Sequence, residues 1–331
     1  MTTEPSRLGA LDGWRGISIL AVLAGHLLPI GPKSLRLNGA TATLGMVVFF
    51  TLSGFLITRF LLKNDDVRVF LIRRFCRILP LAWLFMIVAL VLFLWRPSLL
   101  PSHLFFYANL PPITLSSVTG HLWSLCVEMQ FYICIAAMVF VGGRRAIFLV
   151  PLLCLAVTGF RIWHGIHISI VTYYRVDEIL AGCSLAILYE TRHGRLLEKV
   201  PVWLVLPFLY GSCHPETGWL NYFRPYLSAV AVGATIYQPD SSVTRTLGSR
   251  ALKYIAEISY ALYVIHPLLA DTWLGSGDKI VKYLKRPILF AALFALAHLS
   301  TFYYEHRWIA WGKARTQRTR TLRPGPVERK H

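Results

Sequence analysis

The sequence predicts an all-α fold: a polytopic transmembrane helical bundle of about ten spans with both termini cytoplasmic. Three observations carry that prediction. Of the 331 residues, 55% are hydrophobic and only 15% charged, with a net charge of +18. A soluble core of this size could not hide that much apolar surface. Apolar windows of helical length recur along the whole chain. Lys and Arg collect in alternate connections, the pattern left by cytoplasmic loops.

The windows lie at 13–30, 42–62, 78–96, 122–141, 146–163, 177–190, 201–213, 225–237, 254–273 and 287–304, several of them short for a bilayer. The first belongs to the stretch 11–29, LDGWRGISILAVLAGHLLP. In one helix its Arg15 and His26 stand about 16 Å apart, at about 1.5 Å per residue. That is roughly half a hydrocarbon core, so an ionisable residue at His26 marks a candidate site. The connection 59–77 carries Arg59, Lys63, Arg68, Arg73, Arg74 and Arg77, whereas 97–121 carries no Lys or Arg. The first is therefore placed inside and the second outside. Extending the alternation puts 24 of the 34 basic residues on the cytoplasmic side. Lys279, Lys282, Lys285 and Arg286 crowd one outer loop against the rule. Either that loop lies on the outer surface as an amphipathic piece, or the last two spans are misplaced.

The domain reading is a cytoplasmic leader at 1–12, a membrane domain at 13–304, and a basic, disordered cytoplasmic tail at 305–331. No cleavable signal peptide is evident. The basic excess fits topology and anionic membrane lipid better than nucleic acid. The six cysteines read as buried thiols without metal-like pairing, and no metal is expected. Oligomeric state is not legible.

Depth singles out the polar residues. His26 falls about one turn from the outer end of the first span. Glu128, in WSLCVEMQFY, falls one to two turns below the same face, and His266, in ISYALYVIHP, lies in the outer half. Arg175, Asp177 and Glu178 open the sixth span near that face. Arg15, Arg74 and Arg77 gather at the opposite, cytoplasmic pole, where guanidinium forks suit phosphates. Plainer readings stand beside these. His266 alone fits a histidine bonded to a neighbouring helix, the 59–77 cluster fits positive-inside charge, and Asp12 fits a helix cap.

Six stretches in order carry a resemblance: LDGWRG with His26, FFTLSGFLIT at 49–58, RRFCRILP at 73–80, HLWSLCVEMQFY at 121–132, YRVDEILAG at 174–182 and ISYALYVIHP at 258–267. Together they resemble the acyltransferase-3 family of integral membrane acyltransferases. The family's arginine, ten residues, histidine motif falls on Arg15 and His26, its R-x-x-R on Arg74 and Arg77, and its W-S-L-x-V-E on Trp123 through Glu128. The resemblance implies ten or so helices in a bacterial inner (cytoplasmic) membrane. It also implies a cytoplasmic acyl-CoA donor, most often acetyl-CoA, and transfer to a hydroxyl of a carbohydrate or of another acceptor such as a macrolide. Cys126 and Met129 depart from the pattern, and the second glutamate of that motif is missing.

Acyl transfer from a thioester to an alcohol needs a base or a nucleophile. On this reading His26 is the base or a transient acyl carrier, and Glu128 orients it as a triad carboxylate does. Arg15, Arg74 and Arg77 hold the donor's phosphates, and Asp177, Glu178 and His266 bind the acceptor. A competing class is a proton-coupled exporter of a glycan. No inverted repeat or interrupted helix pair is visible in support of it.

Overall fold

The computed structural model describes residues 4–321. Among them the chain is helical with no strand. In order the helices are α1 (Glu4–Leu27), α2 (Leu37–Lys63), α3 (Val67–Ile87, continued by a π-helical turn Val88–Phe93), α4 (Leu100–Leu104), α5 (Trp123–Gly142), α6 (Val150–Trp163), α7 (Thr172–Arg175), α8 (Asp177–Tyr189), α9 (Val202–Ser212), α10 (Leu220–Tyr237), α11 (Ser242–Leu247), α12 (Arg250–Ala270), α13 (Lys279–Leu284), α14 (Arg286–Leu299, continued by a π-helical turn Ser300–Glu305) and α15 (His306–Thr321). Each of the ten apolar windows coincides with one of these helices. Five helical stretches are long and apolar enough to cross a membrane: 37–63, 67–93, 120–142, 144–163 and 279–317. The protein is a multi-pass membrane protein. Its outer faces carry Phe140, Val141, Leu152, Leu155, Trp163, Trp203 and Phe208 exposed, the surface that a lipid solvent favours over water.

The centre is an α1/α2 pair with α8 and α12 against it. Small residues make that core tight. A Cβ added at Gly54 would lie 2.0 Å from the Ile179 carbonyl oxygen, and one at Gly182 would lie 2.0 Å from that of Thr51. Helices α2 and α8 therefore cross backbone to backbone, the approach that small residues permit in membranes. The glycines of LDGWRG do the same for α1. A Cβ at Gly13 would meet the Leu247 carbonyl oxygen at 2.1 Å, and one at Gly16 that of Leu252 at 2.6 Å. Beside them Trp14 Nε1 donates to Thr235 Oγ1 at 2.9 Å. The far end of α1 is tied by Asn38, whose amide donates to the Gly25 carbonyl at 2.8 Å and the Leu28 carbonyl at 2.6 Å. Those bonds satisfy carbonyls orphaned at the helix end that bears His26.

One expectation changes. The leader 1–12 is helical from Glu4, and residues 1–3 lie outside the described residues. The segment expected to be disordered from 305 is instead helical through Thr321, and only 322–331 lie outside the described residues. The reason is packing on α3. Gly312 lets α15 approach Cys76 closely, and Thr316, 1% exposed, accepts from Arg73 Nε at 3.2 Å. The crowded basic loop forms α13, with Ile280, Val281 and Leu284 exposed among its lysines, the amphipathic piece that was one of the two alternatives.

Candidate active site

Arg15, Ser18, Val22 and His26 recur at three- and four-residue steps, so they line one face of α1. Against the outer end of that stripe stands α12. His26 Nδ1 lies 2.9 Å from His266 Nε2, and their rings stack with centroids 5.2 Å apart. His266 Nδ1 lies 2.7 Å from the backbone carbonyl of Tyr263. A carbonyl only accepts, so Nδ1 of His266 carries the proton and its Nε2 holds a lone pair. His26 must then donate from Nδ1, which leaves its Nε2 as the basic nitrogen. His266 is buried while His26 is exposed, so the base points out of the bundle and its partner is locked inside.

A third imidazole completes the group. His121 meets His266 edge-on with ring centroids 5.3 Å apart, and its Nε2 donates to the Val264 carbonyl at 3.2 Å. Tyr263 donates from its hydroxyl to the His121 carbonyl and lies 2.6 Å from Ser124 Oγ. Among the described residues no group of three or more His, Cys, Asp or Glu is disposed to hold a metal ion.

Inward from this cluster, Arg15, Ser18, Val22, Ser124, Glu128 and Tyr263 help to line a narrow, mainly apolar cavity. Glu128 is fixed by two short hydrogen bonds to Oε1, from Ser53 Oγ at 2.5 Å and from the Tyr132 hydroxyl at 2.5 Å. Arg74 lies over the Tyr132 ring at 5.7 Å. Arg15, Arg74, Arg77 and Glu128 are close enough to feel one another's charge. Arg15 and Tyr260 also line a neighbouring basin with Asp12, Arg77, Lys253, Glu257 and Glu305. Arg77 and Ile309 are shared in turn with a third basin, bounded by Phe60, Phe70, Arg73, Arg74 and Lys313. The π-helical turn that presents Glu305 belongs to a class of helix defect common at functional sites.

The sequence therefore names most of these groups but pairs two of them differently. His266, expected at the acceptor, is the direct partner of His26. Glu128, expected to orient His26, sits with Arg15 instead. The cause is register: His121 enters at the level of His266, and seven further residues carry Glu128 about 10 Å deeper along α5. Asp177 and Glu178 do not reach the imidazoles. Both are fully buried, Asp177 paired with Arg161, and Glu178 with Arg224 at 2.7 Å and Arg175 at 3.3 Å. Arg15, Arg74 and Arg77 do come together. Ser53, Tyr132, Tyr263 and the role of His121 were missed. Tyr263 stands three residues before His266 and so on its helix face, and that spacing was the signal available.

The sequence profile of an acyltransferase domain matches residues 8–306. The chain belongs to the acyltransferase-3 family. This acyltransferase domain is 27% identical over 328 residues to the peptidoglycan O-acetyltransferase OatA of Listeria monocytogenes, covering 82% of this chain and 51% of that one. It is 27% identical over 308 residues to the putative peptidoglycan O-acetyltransferase YrhL of Bacillus subtilis, covering 77% and 47% respectively. It is 26% identical over 312 residues to the O-acetyltransferase OatA of Staphylococcus aureus, covering 80% and 50%. The chain spans about half the length of these relatives. No solved structure matches it.

Proposed function

We propose that the protein is a membrane O-acetyltransferase of the bacterial cytoplasmic membrane. It moves an acetyl group from cytoplasmic acetyl-CoA to a hydroxyl of a cell-envelope carbohydrate, with peptidoglycan the leading acceptor. The supporting observation is the hydrogen-bonded His26–His266 pair at one end of α1, with Arg15 and two basins that share Arg77 toward the other. The names of the relatives, O-acetyltransferases of peptidoglycan, support the acetyl group and the carbohydrate class. Ten spans with both termini inside remain the topology of this proposal, and they place the basins at the cytosol and His26 toward the outer face.

In this mechanism Arg77, Arg74 and Arg15 hold the donor's phosphates. The pantetheine arm enters past Tyr260 into the Glu128 cavity, which ends at Val22, one turn or about 6 Å short of His26. The acceptor oxygen attacks the thioester carbonyl carbon while His26 Nε2 takes its proton. The carbon–sulfur bond breaks, and the proton returns from His26 to the departing thiolate. His266 Nε2 accepts from His26 Nδ1 throughout, holding the productive tautomer as the carboxylate of a triad does. Glu128, already doubly hydrogen-bonded, steadies Arg15 and Arg77 and shapes the channel. Asp177 and Glu178 serve the scaffold.

The test is release of CoA from radiolabelled acetyl-CoA by the purified protein in nanodiscs, with and without peptidoglycan fragments. Wild type should release CoA and label the glycan, whereas His26→Ala should do neither while remaining folded. Full turnover by His26→Ala would end the proposal. An exporter would show no thioester cleavage at all.

A further inference from the structure

The donor mechanism gives Arg74 and Arg77 to the phosphates of the donor without saying which phosphate enters the outer basin. Its lining is unusual in sign: Arg73, Arg74, Arg77 and Lys313 converge with Phe60, Phe70 and Ile309, and no carboxylate is among them. The next basin inward mixes Arg15, Arg77 and Lys253 with Asp12, Glu257 and Glu305. The outer basin therefore suits the group of highest negative charge. It shares no lining residue with the Glu128 cavity, whereas the mixed basin shares Arg15 and Tyr260 with that cavity and Arg77 and Ile309 with the outer basin.

Lys313 is held over this basin by the docking of α15 on α3. Gly312 packs against Cys76, and Thr316 accepts from Arg73. Arg73 is already committed to Thr316 and to the Phe60 ring at 5.9 Å, and Arg74 to the Tyr132 ring. The ammonium of Lys313, one turn beyond Ile309 on the same helix face, is the exposed cation of the set. In coenzyme A the charged group farthest from the thioester is the 3′-phosphate of the adenosine, and a compact ammonium suits a phosphate dianion.

We propose that Lys313 reads the 3′-phosphate of coenzyme A, so that α15, which lies beyond the stretch matched by the family profile, selects phosphorylated over dephosphorylated donor. The inference rests on the acyl-CoA reading above. It predicts that the two ends of one nucleotide are recognised by separate helices, the 3′-phosphate by α15 and the diphosphate by α3 and α1.

The experiment measures binding of CoA and of 3′-dephospho-CoA to the full chain in zwitterionic nanodiscs, for wild type, Lys313→Ala and Lys313→Arg. Wild type should favour CoA by about tenfold or more. Lys313→Ala should reduce that preference below about threefold while leaving affinity for dephospho-CoA unchanged, and Lys313→Arg should retain most of it. Melting temperatures equal to wild type show that the variants are folded, as an exposed side chain leads one to expect. An unchanged preference in Lys313→Ala overturns the assignment. If wild type binds neither nucleotide, the donor reading itself fails. If adding phosphatidylglycerol to the discs abolishes the preference in wild type, the basin is a lipid headgroup site and the assignment falls.

Discussion

At the scale of single residues, the tautomer chain from the Tyr263 carbonyl through His266 to His26 decides what each imidazole can do. In this chain of contacts the outward lone pair belongs to His26, which is why the proposed mechanism makes it the base. Replacing it by alanine should lower turnover by roughly 10²–10⁴-fold, the usual range for a general base, measured as CoA release at saturating donor. His266→Ala leaves the Nδ1 proton of His26 without its acceptor. It should also lower turnover, but less, with the donor KM unchanged. Equal losses at the two positions would point instead to a proton passed from ring to ring. Arg74→Ala should raise the donor KM more than it lowers turnover, because its part is in binding rather than chemistry. Arg15 and His26 were legible in the sequence because charge inside an apolar run is costly enough to demand a reason, and Arg74 and Arg77 through the R-x-x-R resemblance. Their pairing was not, since the depth of Glu128 depends on where α5 begins. A 3₁₀ turn at Gly120–Leu122 sets that start, and no periodicity reveals it.

At the scale of helices, the ion pairs of α8 and the glycine contacts of α2 carry the assembly. Asp177 and Glu178 looked like site residues because acids at a span's mouth are rare. What the sequence could not display is that Arg161, Arg175 and Arg224, far apart along the chain, reach them inside the bundle. Removing one member of a buried pair strands the other charge, at a cost of about 3–5 kcal/mol. Glu178→Ala should therefore lower the melting temperature and the yield of inserted protein. Activity per folded molecule should survive, a split that a true acceptor residue would not show. Gly182→Val should act through a different cause. Its branched side chain would meet the Thr51 carbonyl oxygen, already 2.0 Å from the first added carbon, and α2 and α8 would have to separate. Because α2 also carries Ser53, the Glu128 hydrogen bond should be disturbed with it. Thermal unfolding and donor affinity measured on the same sample separate a loss of packing from a loss of site geometry.

At the scale of the whole molecule, the proposed function requires a definite sidedness, because the donor it names is cytosolic and the acceptor it names lies in the envelope. The apolar windows were read correctly as helices since hydrophobicity alone dictates them, whereas the number that truly cross depends on tilt and packing. The last helical stretch provides a test free of that uncertainty. It runs from 279 to 317, and the 27 residues from Arg286 to Lys313 rise about 40 Å. A hydrocarbon core is only about 30 Å thick. A stretch that crosses would therefore bring the lysines of α13 and Lys313 of α15 out on opposite faces, although both regions are basic and the positive-inside rule would place both in the cytosol. Lys282→Cys and Lys313→Cys, each in a background with the exposed Cys134 changed to serine, should respond differently to a membrane-impermeant maleimide. In intact cells position 282 should react, and position 313 should react only after permeabilisation. That outcome places the basic basin at the cytosol, where acyl-CoA is, and His26 toward the envelope. The reverse pattern would turn the molecule over and leave its phosphate-binding basin facing a compartment without the donor. Labelling of both positions from one side would mean that the stretch lies along the membrane, and the entrance would then have to be sought elsewhere.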